Sequence, residues 1–205
     1  ENFYFNNEHE KAKKVLKNFD KKYEFYHWFR LKKEAQIIIK KQGYDEGIDY
    51  IISKFDKIDK PNIKIVFDIA NFYKNSKNYE KAIEYYTKLI SSLRNNPEIK
   101  SDLLYRRGGS YERLGNYEKA DEDLINALKI NPDDAYVLNY LAYSWLERDY
   151  KLDEAMEMLK RAYALRSNDP YITDSIGWAY YLIENYTEAE KYLKKAVELM
   201  PQDPT

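Results

Sequence analysis

The chain has 205 residues, 44% of them hydrophobic, which is enough for a packed core, and 34% charged, with a net charge of −1. That balance excludes a globally basic surface for nucleic acid and an acidic solvating tail. Cysteine is absent, which removes disulfides, thiolate metal sites and cysteine nucleophiles; the apolar runs fall far short of the roughly 18 residues of a membrane span.

The opening stretch from Glu1 is polar and aromatic and does not read as a signal peptide. Lysines at 11, 13, 14, 17, 21 and 22, with Val15, Leu16 and Phe19 on a packing face, predict a helix within residues 1–22. Tyr23, Phe25, Tyr26, Trp28 and Phe29 follow, and a basic helix beside rings can bind single strands. The acids interleaved with its lysines favour a solvated cap helix instead. Ala12 lies one 35-residue step upstream of a series of small residues that runs through the rest of the chain.

That series organises residues 23–205 as one continuous array. The strings from Asn78 (NYEKAIEYYTKLI), Asn116 (NYEKADEDLINAL) and Asn185 (NYTEAEKYLKKAV) are variants of one another; those from Gly43 and Lys151 are weaker members. Gly47, Ala82, Ala120, Ala155 and Ala189 mark the phase at intervals of 35, 38, 35 and 34 residues. Before each comes a second periodic segment with its own small residue, Ala35, Ala70, Gly108, Ala142 and Gly177, followed three residues on by Ile38, Tyr73, Tyr111, Trp145 and Tyr180. Each unit therefore reads helix, turn, helix, over about 28–61, 63–98, 101–134, 135–169 and 170–203. The turns hold Gly43, Asn78, Gly115-Asn116 and Asn185, residue types that tolerate left-handed backbone. Pro61, Pro132 and Pro201 mark helix ends, with Pro97 and Pro170 close by. The 38-residue interval predicts an added helical turn near 91–102, and the 35-residue interval near 147–152 one extra turn residue. No period-2 segment competes, so the fold class is all-α.

Gly108, Tyr111, Gly115, Tyr117, Ala120, Leu124, Ala127 and Pro132, and again Gly177, Tyr180, Tyr186, Ala189, Leu193, Ala196 and Pro201, resemble the signature of the tetratricopeptide repeat (TPR). The later repeats are similar to the C-terminal part of long bacterial, especially proteobacterial, TPR proteins. The resemblance implies a right-handed α-solenoid, or superhelix, of about five repeats plus an N-terminal half-repeat. It also implies a non-catalytic scaffold that binds a partner segment in the groove lined by its first helices.

Candidates for chemistry are few. His9 and His27 are the only histidines and share no helical spacing; Gly108-Gly109 lacks the lysine of a phosphate loop. Acid pairs such as Asp121-Glu122-Asp123 and Asp133-Asp134 are placed on outer faces or at helix starts. No cofactor, metal, catalytic residue or nucleic-acid partner is expected. A TPR appendage of an enzyme whose catalytic part lies outside this chain is the alternative, and an RNA-binding helical repeat a more remote one.

Groove positions implied by the resemblance are Phe67 and Asn71 in the second repeat, Tyr105 in the third, Tyr136, Asn139 and Tyr143 in the fourth, and Tyr171, Asp174, Trp178 and Tyr181 in the fifth. Rings and acids there do not match the basic clamp of TPR domains that hold chaperone C-terminal carboxylates. They suit a protein or peptide segment that is basic with apolar anchors. The chain lacks an initiating methionine, and the helix carrying Tyr192, Ala196, Val197 and Leu199 has no following helix; a continuing repeat, or self-association through this uncapped helix, is the expectation. Compartment is left open between cytoplasm and envelope.

Overall fold

The computed structural model describes residues 24–93 and 95–200, together with residues 8, 10, 11, 14 and 15. Every regular element among them is an α-helix: α1 Glu24–Gln42, α2 Tyr44–Phe55, α3 Ile63–Asn75, α4 Tyr79–Ser92, α5 Pro97–Arg113, α6 Tyr117–Ile130, α7 Ala135–Leu146, α8 Leu152–Leu165, α9 Pro170–Leu182 and α10 Tyr186–Leu199. The expected N-terminal half-repeat lies mostly outside the described residues, Leu16 and Phe19 included; Val15, placed on its packing face, is exposed. Internal contacts divide the chain into two compact units, residues 1–92 with α1–α4 and 93–205 with α5–α10.

Local chemistry starts seven of these ten helices. Asn62, Asn78, Asn96, Asn116, Asp134, Asp169 and Asn185 each accept a backbone N–H two or three residues on, satisfying donors that have no partner within the helix. Pro97 and Pro170 sit at the first helical position of α5 and α9, where a missing N–H costs nothing. They therefore open first helices rather than close second ones. The added turn falls where the 38-residue interval placed it: α5 has 17 residues, against 13 in α3, 12 in α7 and 13 in α9.

The turns differ from the expectation in one respect. Asn78, Asn116 and Asn185 cap the following helix, and the left-handed residue is the one before: Lys77 (φ 61°), Gly115 (φ 73°) and Glu184 (φ 61°). In each case the asparagine N–H donates to the carbonyl of Tyr73, Tyr111 or Tyr180 at 2.9 Å, the six-to-one bond that ends a helix in a Schellman motif. The aromatic three residues after each small residue thus supplies the terminating carbonyl. A left-handed non-glycine residue costs about 1–2 kcal/mol, partly offset because glycine loses more entropy on folding. Glu184→Gly is therefore expected to stabilise the fold by about 0.5–1 kcal/mol, and Gly115→Ala to destabilise it. Thermal melts check this; a lower melting temperature for Glu184→Gly would contradict it.

The turn of the fourth helix pair runs from Glu147 to Lys151, and α8 starts 17 residues after the start of α7, against 16 from α9 to α10, so the pair holds the one extra residue expected. Arg148 ties it down. Its guanidinium donates to Asp121 Oδ1 at 2.8 Å and lies 4.6 Å from the Tyr117 ring and 5.6 Å from the Tyr150 ring.

Close packing follows the small residues. Ala35, Ala70, Gly108, Ala142 and Gly177 are buried on first helices, and Gly47, Ala82, Ala120, Ala155 and Ala189 on second helices. A Cβ on Gly108 would stand 3.2 Å from the Ala120 carbonyl oxygen, and one on Gly177 2.9 Å from Leu193. In unit 1, Trp28, Leu31, Ala35, Ile51, Phe55, Ile65 and Ile69 form a core that Phe72, Tyr73 and Tyr85 flank. In unit 2, second helices α6 and α8 each also pack on the next first helix, α7 and α9, and α7 touches α9 directly. Side by side, the first helices make a continuous face.

Asp123 departs from the outer-face expectation. It is 4% exposed and receives two hydrogen bonds from Arg107 of α5, from Nε and Nη2, both 2.7 Å. Asp121, half-buried, pairs with Arg148. Only Glu122 of that acid run points to solvent.

Candidate protein-binding groove

Offsets of three and four return to one helix face, so Tyr136, Asn139 and Tyr143 share a stripe of α7, and Tyr171, Asp174, Trp178 and Tyr181 one of α9. Four of the rings reach solvent: Tyr136 is 44% exposed, Tyr143 38%, Tyr171 60% and Tyr181 48%. Tyr143, Tyr171 and Asp174 line a cleft of about 530 Å³ with Arg113 of α5, Val197 of α10 and Met200 just after it. Burial raises the Tyr143 pKa, and the carboxylates of Glu147 and Asp174 raise it further, so the hydroxyl remains a donor at neutral pH. Asn139 Oδ1 is buried and accepts no hydrogen bond. Trp178 is half-buried; its Nε1–H donates to Glu147 Oε1 at 3.0 Å, and its ring stacks on Tyr181 at 5.3 Å.

The third repeat contributes less to this surface. The Tyr105 ring packs edge-on against Tyr140 at 5.7 Å, and burial raises its pKa. Tyr140 of α7 was not singled out in the sequence. It lies over Gly109, whose added Cβ would stand 3.3 Å from the Tyr140 hydroxyl, and that hydroxyl donates to Glu112 at 3.0 Å. Gly109 and Glu112, four and seven residues beyond Tyr105 on the same face, thus hold α7 against α5. Tyr140 is four residues beyond Tyr136, on the same face, and the glycine opposite was the available signal. Phe67 and Asn71 belong to unit 1 and the other eight residues to unit 2. The Asn71 carboxamide is engaged within its own pair: Oδ1 accepts from the buried Tyr86 hydroxyl at 2.8 Å and Nδ2 donates to the Phe67 carbonyl.

A second surface lies at the far side of α10. Tyr181, Tyr186, Ala189, Leu193 and Val197 line an open hollow of about 710 Å³, edged by Glu190, Lys194 and Glu198. Val197 is 57% exposed, as the uncapped-helix expectation had it. Tyr192 and Ala196 are not on this face: Ala196 is buried, and Tyr192 packs inward on Tyr163 and Tyr180.

Sequence profiles described as tetratricopeptide repeat match residues 63–96, 101–134 and 174–203, in the phase of the helix pairs α3–α4, α5–α6 and α9–α10. This chain is built of tetratricopeptide repeats. Among relatives, the TPR repeat-containing protein PA4667 of Pseudomonas aeruginosa is 27% identical over 169 residues, which cover 82% of this chain and 28% of that protein. The chain thus spans less than a third of that relative's length. Among solved structures, MamA (residues 41 to its end) from Desulfovibrio magneticus RS-1 superposes with a TM-score of 0.64 at 16% identity, covering 87% of this chain and 97% of that one. YrrB, described as a TPR protein with an unusual peptide-binding site, superposes with a TM-score of 0.55 at 18% identity, covering 84% and 86%. These structural likenesses establish a shared TPR fold. Among the described residues no helix of this TPR chain is long and apolar enough to cross a membrane.

Proposed function

We propose that this TPR chain is a non-catalytic scaffold whose unit 2 binds an extended segment of a partner protein across α7 and α9. One observation carries the reading: Tyr143 and Tyr171, both exposed, flank a cleft that also holds Asp174, on the face made by adjacent first helices. Exposed rings clustered in a concave site are favoured anchors for a partner. Asn139 shares the stripe with Tyr136 and Tyr143, half-buried between them. Asp174 and Glu147 favour a segment carrying lysine or arginine among apolar anchors.

The double variant Tyr143→Ala, Tyr171→Ala tests this. Both side chains are exposed, so melting should change little, because surface substitutions usually lie within about 0.5 kcal/mol. The protein that co-purifies with the wild-type chain from its own organism should no longer be captured. Undiminished capture by the folded double variant would refute the groove reading.

A further inference from the structure

Rings in this protein are commonly covered by the chain's own cations. Arg148 lies over Tyr117 and Tyr150, Lys151 over Trp145, Arg166 over Tyr136 at 4.9 Å, Lys195 over Tyr163, and Lys119 over Tyr111. One exposed ring cluster in unit 2 differs. Trp178 and Tyr181 stack at 5.3 Å with their planes 14° apart, and Tyr186 meets Tyr181 edge-on at 5.7 Å. Tyr181 and Tyr186 are 48% and 59% exposed. No lysine or arginine among the described residues lies over any of these three rings. Lys194, on the same side of α10, is paired with Glu190 at 2.5 Å.

A carboxylate completes the arrangement. Glu147 Oε1 accepts the Trp178 indole N–H, which holds the charge at the edge of the ring stack; Glu147 itself is exposed and has no ion-pair partner among the described residues. A flat aromatic shelf with an unneutralised carboxylate at its rim is complementary to a planar cation. Guanidinium stacks on such a shelf and donates to the carboxylate at once, whereas an ammonium can use the charge but not the stacking.

We propose that the Trp178–Tyr181 shelf and Glu147 bind one arginine side chain of the partner segment, beside the cleft at Tyr143 and Asp174. This rests on the groove reading for its partner and shares Glu147 with it, but the rings Trp178 and Tyr181 are not those that the groove test replaces, so the two can fail separately.

The test is a titration of the folded chain with the tripeptide acetyl-Gly-Arg-Gly-amide, followed by the indole N–H signals of its three tryptophans in proton–nitrogen NMR. The Trp178 signal should move saturably, while those of Trp28 and Trp145, buried at 3% and 5% exposure, stay in place and report an intact fold. The citrulline analogue, of the same shape without the charge, should produce no shift. The lysine analogue should bind about two- to fivefold more weakly. Glu147→Gln, which keeps the acceptor for the indole, and Tyr181→Ser should each weaken the arginine response severalfold. A silent Trp178 signal, an equal response to citrulline, or an unchanged response in Tyr181→Ser would each overturn the proposal. If the arginine peptide is silent while Tyr143→Ala, Tyr171→Ala still abolishes partner capture, the groove stands without the arginine shelf. The reverse pattern retains the shelf and rejects the groove.

Discussion

Replacing Asp123 with alanine is expected to destabilise unit 2 by about 3–5 kcal/mol, because it leaves a buried guanidinium without its carboxylate. The Arg107 and Asp123 side chains are 17% and 5% exposed, and two hydrogen bonds of 2.7 Å join them across α5 and α6. Once Asp123 is gone, and with it the hydrogen bond that raises the Arg107 pKa, the guanidinium still has no escape by losing its proton, because arginine stays charged in any case. The loss belongs to the orphaned charge more than to the pair itself. Arg107→Met combined with Asp123→Leu should therefore recover most of the stability, since apolar replacement of a buried pair is often neutral. Urea melts of the single and double variants, with exposed Glu122→Ala as the control, measure this. A cost for Asp123→Ala no greater than that of Glu122→Ala would show the pair to be dispensable.

Overpacking the small-residue positions should produce the next largest effect. Ala120→Leu and Ala155→Leu place three extra carbons where second helices meet first helices, at positions 1% and 0% exposed, and should cost about 1–3 kcal/mol each. The Ala120 carbonyl already lies 3.2 Å from where a Cβ on Gly108 would be, so α5 cannot move closer to make room elsewhere. The adjacent exposed changes Lys119→Leu and Glu154→Leu should cost well under that. Ala189 makes a poorer probe, because it borders the open hollow beside α10, into which a leucine could lean. Equal melting temperatures for the buried and exposed pairs would mean that the helix faces are wrongly assigned.

The amino-acid sequence alone determined the features whose causes are local or periodic. Small residues recur at the repeat length because every helix pair must solve the same close approach, so Ala82, Ala120 and Ala155 announce the fold without any knowledge of distant contacts. Helix starts have an equally local cause, since Asn116 or Asn185 caps an N–H only three residues away, although these asparagines suggested left-handed turn residues rather than caps. The stripes on α7 and α9 followed from helical spacing alone.

Tertiary structure decided what each stripe faces. Tyr105 and Tyr143 both occupy groove-type positions, yet Tyr105 packs against Tyr140 of the neighbouring helix while Tyr143 remains open beside a cleft. Asp123 follows two other acids, Asp121 and Glu122, and only Arg107, sixteen residues earlier on a different helix, makes it a buried partner instead of a solvated charge. Lys77 and Glu184 adopt left-handed backbone that their own side chains disfavour, because the Schellman bond to Tyr73 or Tyr180 and the asparagine cap that follows fix the turn around them. The common reason is range. Spacing along one helix specifies a direction, but exposure, ion pairing and turn strain depend on which side chain the next helix brings to meet it.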